Sequence, residues 1–95
     1  MSQERRDWGR EFQRDFQRMA DIMAILGGRS TGRRLKSGAY AIVATLPCAG
    51  RIYVRSKRGQ AGNEASAAVQ RHVLEWVERH ARRAVVELQK RLGAP

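Results

Sequence analysis

The sequence predicts an α+β fold in the order α-β-β-α: a long N-terminal helix, a basic β-hairpin and a long C-terminal helix. Two observations predict these elements. Toward both ends of the chain, apolar residues recur at steps of three and four, which is typical of amphipathic helices. Between them, two short strand-like segments flank a turn that contains proline and glycine, which is typical of an antiparallel hairpin. We interpret the 95 residues as a single small basic domain.

An apolar stripe predicts the first helix over residues 4–27. Its members follow one another at steps of four and three: Trp8, Phe12, Phe16, Met19, Met23 and Leu26. We expect this stripe to pack mainly in the core, because a domain this small needs its apolar residues there. Gly27 and Gly28 end the helix, since glycine adopts the left-handed C-terminal conformation without a steric cost.

The middle of the chain predicts a hairpin over residues 39–56. The first strand places four apolar side chains on one face: Tyr40, Ile42, Ala44 and Leu46. Its other face is not strongly polar, so we expect this strand to be covered on both sides or to lie against a partner. A turn at residues 47–50 leads to the second strand, in which Ile52 and Val54 point inward.

A second apolar stripe predicts a helix over residues 64–92, after a glycine-rich joint at residues 59–63. Asn63 is the expected N-cap, and Glu64 suits the positive end of the helix dipole. The stripe consists of Val69, Val73, Trp76, Val77, Ala81, Ala84, Val85, Leu88 and Leu92. Such a helix is about 43 Å long, more than a compact domain of this size spans. We therefore expect a homodimer, in which either the helices pair or two hairpins form one four-stranded sheet.

Basic residues concentrate in the middle of the chain. No acid lies between Asp21 and Glu64, and this interval supplies +8 of the formal net charge of +10. Such a surface favours association with nucleic acid, DNA or RNA, or with an acidic protein surface. On the second strand Arg51, Tyr53 and Arg55 share the outward face, where two charges flank a ring that can stack on a base. The alternative is an exposed sheet edge protected by charge.

Residues 28–37 are polar, basic and rich in glycine, which predicts a loop. A solvated connection is favoured there over a specific anion site, because the pattern lacks the sequence of a nucleotide-binding loop. The predicted nucleic-acid-binding residues are Arg29, Arg33, Arg34, Lys36, Arg51, Tyr53, Arg55, Lys57 and Arg58.

Few residues suggest catalysis, a cofactor or a metal, so we predict a protein that is not an enzyme. His72 and His80 lie eight residues apart, whereas neighbouring ligands on one helical face need a spacing of three or four. Cys48 has no base beside it in the sequence to activate it. Acids such as Asp15 precede arginines such as Arg18 by three residues, which predicts solvated ion pairs. We predict no transmembrane segment, and a single cysteine fits a cytoplasmic location.

Two segments resemble known families. The order helix, strands, long helix, with Ser56-Lys57-Arg58 before Ala65, Ala67 and Ala68, resembles the carboxyl half of a double-stranded-RNA-binding domain. This resemblance implies a basic helix start that contacts phosphates across a groove; that family has three strands, whereas this sequence shows two clear ones. Thr31-Gly32-Arg33-Arg34-Leu35-Lys36-Ser37 is similar to the segment between the first helix and the sheet in phage head-to-tail joining and tail-completion proteins.

From these patterns we predict a small non-enzymatic protein that contacts the phosphate backbone of nucleic acid with little sequence specificity. The alternative is a protein-interaction module, such as a phage- or mobile-element-encoded assembly factor or inhibitor, that docks on an acidic protein surface. Exposed members of the first apolar stripe would then anchor the partner. Membrane-surface binding is less consistent with the sequence, because both helices carry acids on their polar faces.

Overall fold

The computed structural model describes residues 6–93 and consists of two helices and one three-stranded antiparallel sheet. The elements are α1 at Trp8–Leu26, β1 at Arg29–Arg34, β2 at Tyr40–Leu46, β3 at Gly50–Arg55 and α2 at Gly62–Gly93. The α+β class is therefore confirmed. The strand order is β1-β2-β3, and the core lies between one face of this sheet and the two helices.

α1 begins at an aspartate cap. The Asp7 carboxylate accepts a hydrogen bond from the backbone N–H of Arg10 at 3.0 Å, so the helix starts at position 8. Position 4, where the sequence predicted the start, lies outside the described residues. At the other end, Gly27 has a φ of 78° and the N–H of Gly28 donates to the carbonyl of Met23 at 2.8 Å. This is the glycine C-cap that the sequence predicted.

A strand occupies most of the segment predicted to be a loop. β1 pairs antiparallel with β2 over six residues, from Arg29 opposite Thr45 to Arg34 opposite Tyr40. The loop prediction was wrong because polar side chains suit a strand whose outer face meets water. Gly32 is also required there: a Cβ at this position would collide with the hydroxyl of Tyr40, whose side chain lies across it.

The central strand β2 has a covered inner face and a partly exposed outer face. On the inner face Ile42, Ala44 and Leu46 belong to the core, and on the outer face Ala41 is only 4% exposed. Its neighbours β1 and β3 lie along both edges, whereas on the outer face Val43 is half-buried and Thr45 is exposed, so the described residues do not cover both faces as the sequence predicted. The predicted hairpin is therefore present as β2 and β3, but it is part of a larger sheet.

The two helices run side by side in the same direction and close the core. Its buried members are Met19, Met23, Ile42, Ala44, Leu46, Val69, Val73, Leu74 and Val77. Ion pairs connect the helices, from Asp15 to Arg71 at 3.0 Å and from Arg18 to Glu78 at 3.2 Å. The predicted solvated pair between Asp15 and Arg18 was wrong, because Asp15 is buried against α2.

α2 has a buried first half and an exposed second half. Its buried side chains lie between Ala65 and Val77, whereas several apolar side chains further along are exposed: Val85 by 54%, Val86 by 48%, Leu88 by 56% and Leu92 by 78%. The radius of gyration is 15.9 Å, against about 12 Å for a compact domain of this length. The helix begins at Gly62, so Asn63 lies in its first turn and the predicted N-cap was wrong.

Candidate nucleic-acid interface

The outer face of the sheet, which is turned away from the helices, carries an arginine at each corner. Its positions form three rows across the strands: Arg29, Thr45 and Arg51; Thr31, Val43 and Tyr53; and Arg33, Ala41 and Arg55. We call these nine positions the arginine face. From the strand geometry it measures about 10 Å between the outer strands and about 13 Å from the first row to the third.

The rows arise from two matching segments of sequence. β1 reads Arg-Ser-Thr-Gly-Arg from Arg29 to Arg33, and β3 reads Arg-Ile-Tyr-Val-Arg from Arg51 to Arg55. Both strands are antiparallel to β2, so they run in the same direction. Because side chains alternate between the faces of a strand, both arginines of each segment point to the same side. The register then aligns the two segments residue by residue.

The four corner arginines carry charge that the surrounding protein does not neutralise. All four are exposed, and none forms a salt bridge with an acid anywhere in residues 6–93. The ion pairs within that range involve the helices and the residues just before α1. Charges about 10 Å apart on an exposed surface repel one another only weakly, because salt screens them over about 8 Å at physiological strength. The arginine face is therefore open to an external anion.

Tyr53 lies in the middle row with 60% of its surface exposed. Within the described part of the chain, its ring packs on no other aromatic ring and its hydroxyl makes no hydrogen bond. Its cross-strand neighbour is Val43, which is half-buried. The exposed ring presents a flat apolar surface between Arg51 and Arg55, and aromatic rings at such places stack on bases.

Arg34 lies on the opposite face of the sheet from the other β1 arginines. Its guanidinium donates hydrogen bonds to the Ser66 hydroxyl at 2.8 Å and to the carbonyls of Gly38 and Gly62 at 3.2 and 3.3 Å. It also lies 5.6 Å from the centre of the Tyr40 ring. These contacts tie the β1–β2 turn to the start of α2, so the structure gives Arg34 an internal role and separates it from the arginine face.

Three further predicted residues lie at one end of the sheet, next to the row of Arg33 and Arg55. Lys36 is exposed in the β1–β2 turn, and Lys57 and Arg58 are exposed in the connection from β3 to α2. The contacts of Arg34 with both segments bring these connections together. We call Lys36, Lys57 and Arg58 the basic rim, because they extend the positive surface beyond the third row.

Four of the nine positions of the arginine face were missed from the sequence, and their signals were weak. Thr31 was assigned to a loop, and Ala41, Val43 and Thr45 were placed on the second face of the first predicted strand without a role. The repeated spacing of four between Arg29 and Arg33, and between Arg51 and Arg55, is the signal that could have indicated two equivalent strands. This spacing was not recognised because a glycine such as Gly32 is typical of a loop. In the structure Gly32 lies in a strand, where a Cβ would collide with the Tyr40 hydroxyl.

Other reactive groups do not form a second site in the described part of the chain. His72 is exposed, and the His80 ring packs edge-on against Trp76 with the ring centres 5.0 Å apart. Cys48 is a free, exposed thiol. Among residues 6–93, no three histidine, cysteine or acidic side chains come together as a metal site. No helix in that range combines the length and apolar character needed to cross a membrane.

No protein-family model, curated protein or solved structure matches this chain significantly. β1 brings the element order to helix, three strands and helix, but membership of a family is not shown for either of the two resemblances. The case for a function therefore depends on the site itself.

Proposed function

We propose that this protein is a non-enzymatic nucleic-acid-binding protein that contacts the phosphate backbone through the arginine face. The observation that carries this proposal is the group of four exposed arginines on one small surface, none of which has an acidic partner among residues 6–93. Arginine binds phosphate oxygens with two parallel hydrogen bonds, and phosphate contacts supply most of non-specific affinity. Low sequence specificity is expected because, in the part of the chain that the structure describes, no helix or ribbon projects from this face to reach base edges.

The basic rim extends the proposed contact surface. Together with the corner arginines it offers seven cationic side chains, Arg29, Arg33, Arg51, Arg55, Lys36, Lys57 and Arg58. If six or seven of them meet phosphates of duplex DNA, the slope of log affinity against log salt concentration is about −5 to −6. Arg34 does not enter this number, because its guanidinium is bound within the protein.

A charge-reversal experiment tests the proposal. Fluorescence anisotropy of labelled DNA and RNA would be measured at several salt concentrations for the native protein and for Arg51→Glu with Arg55→Glu. Arg10→Glu with Arg14→Glu is the matched control, since it changes the net charge equally at exposed residues of α1, away from the sheet and from residues 78–93. We expect the β3 variant to lose binding and the α1 variant to retain most of it.

Two results would contradict the proposal. One is a clear binding signal with a salt slope near zero, because phosphate contacts release counterions and must depend on salt. The other is an equal loss of affinity in both variants, which would mean that net charge, and not the arginine face, determines binding. Circular dichroism of both variants checks that the fold is retained.

We also propose that the protein forms a homodimer through the second half of α2, residues 78–93. Val85, Leu88 and Leu92 remain exposed there, and exposed apolar patches mark interaction sites. Helix pairing is favoured over pairing of sheet edges, because the arginines of β1 and β3 protect those edges. Sedimentation should detect a dimer that Leu88→Glu converts to a monomer, whereas Lys90→Gln, which changes the net charge equally on the opposite side of the helix, should not. A native protein that sediments as a monomer would contradict this proposal.

A protein-interaction module is the second candidate function, and the same half of α2 favours it. This segment combines exposed apolar residues with more basic than acidic side chains: Arg79, Arg82, Arg83, Lys90 and Arg91 against Glu78 and Glu87. An acidic partner would complement it, as expected for an assembly factor or inhibitor. The anchor predicted in α1 is reduced mainly to Phe16, which is exposed. Trp8 and Phe12 are half-buried, and Met19 and Met23 are buried. Absence of nucleic-acid binding at low salt would favour this candidate.

We also propose that the protein is located in the cytoplasm. Cys48 is exposed and free. A reducing compartment preserves such a thiol, whereas an oxidising one promotes disulfides between chains. Microscopy of the tagged protein would test the location.

A further inference from the structure

We infer that the arginine face selects single-stranded over duplex nucleic acid by stacking one base on Tyr53. This inference rests on the proposed function and adds the form of the ligand. Its basis is the position of Tyr53 in the middle row, 60% exposed, with Arg51 and Arg55 beside it on β3 and Arg29 and Arg33 two strands away on β1. Phosphate contacts alone would make no use of an exposed ring at this point.

The shape of the surface disfavours a duplex ligand. In a duplex, each base is covered on both sides by its neighbours, so a base can reach a flat ring only after it is unstacked. Grooves are read by a helix or a two-stranded ribbon that enters them, and the minor groove is only about 6 Å wide. The arginine face belongs to three strands and is about 10 Å across between strand axes. A single strand has no such barrier, because its bases can turn toward the sheet.

The spacing of the arginines suits a nucleotide held on the ring. Arg51 and Arg55 lie two residues to either side of Tyr53 on β3, which places their Cα atoms about 7 Å from that of the tyrosine. Arg29 and Arg33 repeat this arrangement across the sheet on β1. Phosphates on both sides of a stacked base can therefore each meet a guanidinium.

The middle row also provides apolar contact beside the ring. Val43 separates Tyr53 from Thr31, and none of these three side chains carries a charge. A base stacked on Tyr53 would thus lie over an uncharged strip, with the phosphates directed to the charged rows at both ends. This division between a stacking surface and a charged border is the arrangement that sequence-tolerant single-strand binders use.

Substitution of Tyr53 tests the inference. Labelled oligothymidylate, oligouridylate and a DNA duplex of equal length would be titrated with the native protein, Tyr53→Val and Tyr53→Phe. Valine suits a strand but cannot stack, whereas phenylalanine keeps the ring. We expect the native protein to prefer the single strands. Tyr53→Val should weaken single-strand binding by about 5- to 150-fold and leave duplex binding nearly unchanged. Tyr53→Phe should bind single strands like the native protein.

The outcomes separate this inference from the proposed function. If the duplex binds as tightly as the single strands and Tyr53→Val weakens neither, while Arg51→Glu with Arg55→Glu weakens both, the phosphate proposal stands and the stacking inference is wrong. If the native protein shows no salt-dependent binding to any probe, both are wrong.

Discussion

The two faces of the sheet come from the same three strands and differ in almost every property. On the inner face Ala44 and Leu46 are 0% and 1% exposed and pack beneath the helices. On the outer face four arginines and Tyr53 meet solvent. Because consecutive strand residues point to opposite sides, a step of one residue separates a side chain of the core from one available to a ligand. Substitution of a residue on the inner face should therefore lower stability, whereas substitution of its sequence neighbour on the outer face should affect only binding.

The largest expected effect is on stability, at the pair Leu46 and Thr45. Leu46→Ala removes a buried side chain of the inner face and should lower the free energy of unfolding by about 2–5 kcal/mol. Thr45→Val, one residue away on the exposed face, should change it by less than about 0.5 kcal/mol. Urea denaturation followed by circular dichroism measures both values. Equal destabilisation would mean that the outer face is covered in solution.

An intermediate effect is expected at the pair Arg33 and Arg34. Arg34→Ala loses the hydrogen bonds to Ser66 and the two glycine carbonyls, so it should destabilise the fold by about 1–2 kcal/mol. Its salt slope for duplex DNA should stay at the native value. Arg33→Ala should do the reverse, with a nearly native stability and a slope smaller by about one. If Arg34→Ala reduced the salt slope, the Arg34 guanidinium would contact the nucleic acid, contrary to this prediction.

The smallest expected effect is a pH dependence on the inner face. Burial raises the pKa of Tyr40 above its ordinary value of 10.0, and the nearby Arg34 charge partly opposes this shift. The folded state therefore holds the phenol proton more tightly than the unfolded state does. This contribution is fully present below pH 10 and is lost as the pH rises through the folded pKa. Native protein should lose stability more steeply than Tyr40→Phe above pH 10 in denaturation curves. An equal loss of stability above pH 10 in the native protein and in Tyr40→Phe would contradict this prediction.

The sequence predicted the helices and the hairpin because their signals are local. Steps of three and four marked both apolar stripes, and the C-cap at Gly27 followed from residue type. The alternation of Arg51, Tyr53 and Arg55 correctly placed these residues on an exposed face. β1 was missed because its identity as a strand depends on pairing with β2, and pairing is not a local property. Gly32 made the segment resemble a loop, although in the strand a Cβ at this position would collide with the Tyr40 side chain.

The candidate site was therefore predicted in composition but not in arrangement. All its arginines were named from an interval without acids, and charge density needs no structure to be recognised. Arg34 could not be distinguished from Arg33, since both are basic neighbours in the same segment. Only the positions of Ser66 and Gly62, about thirty residues further along the chain, show that Arg34 is bound within the protein.

The sequence by itself determined the amount of positive charge, the amphipathic helices and the faces of each predicted strand, because these follow from residue type and spacing within a few positions. Only the tertiary structure decided that the Arg29 and Arg51 segments align as rows of one surface. It also decided that Asp15 is buried against α2 and that the second half of α2 stays exposed. The physical reason is that strand register and helix packing depend on contacts between residues far apart in the chain, which no local pattern records.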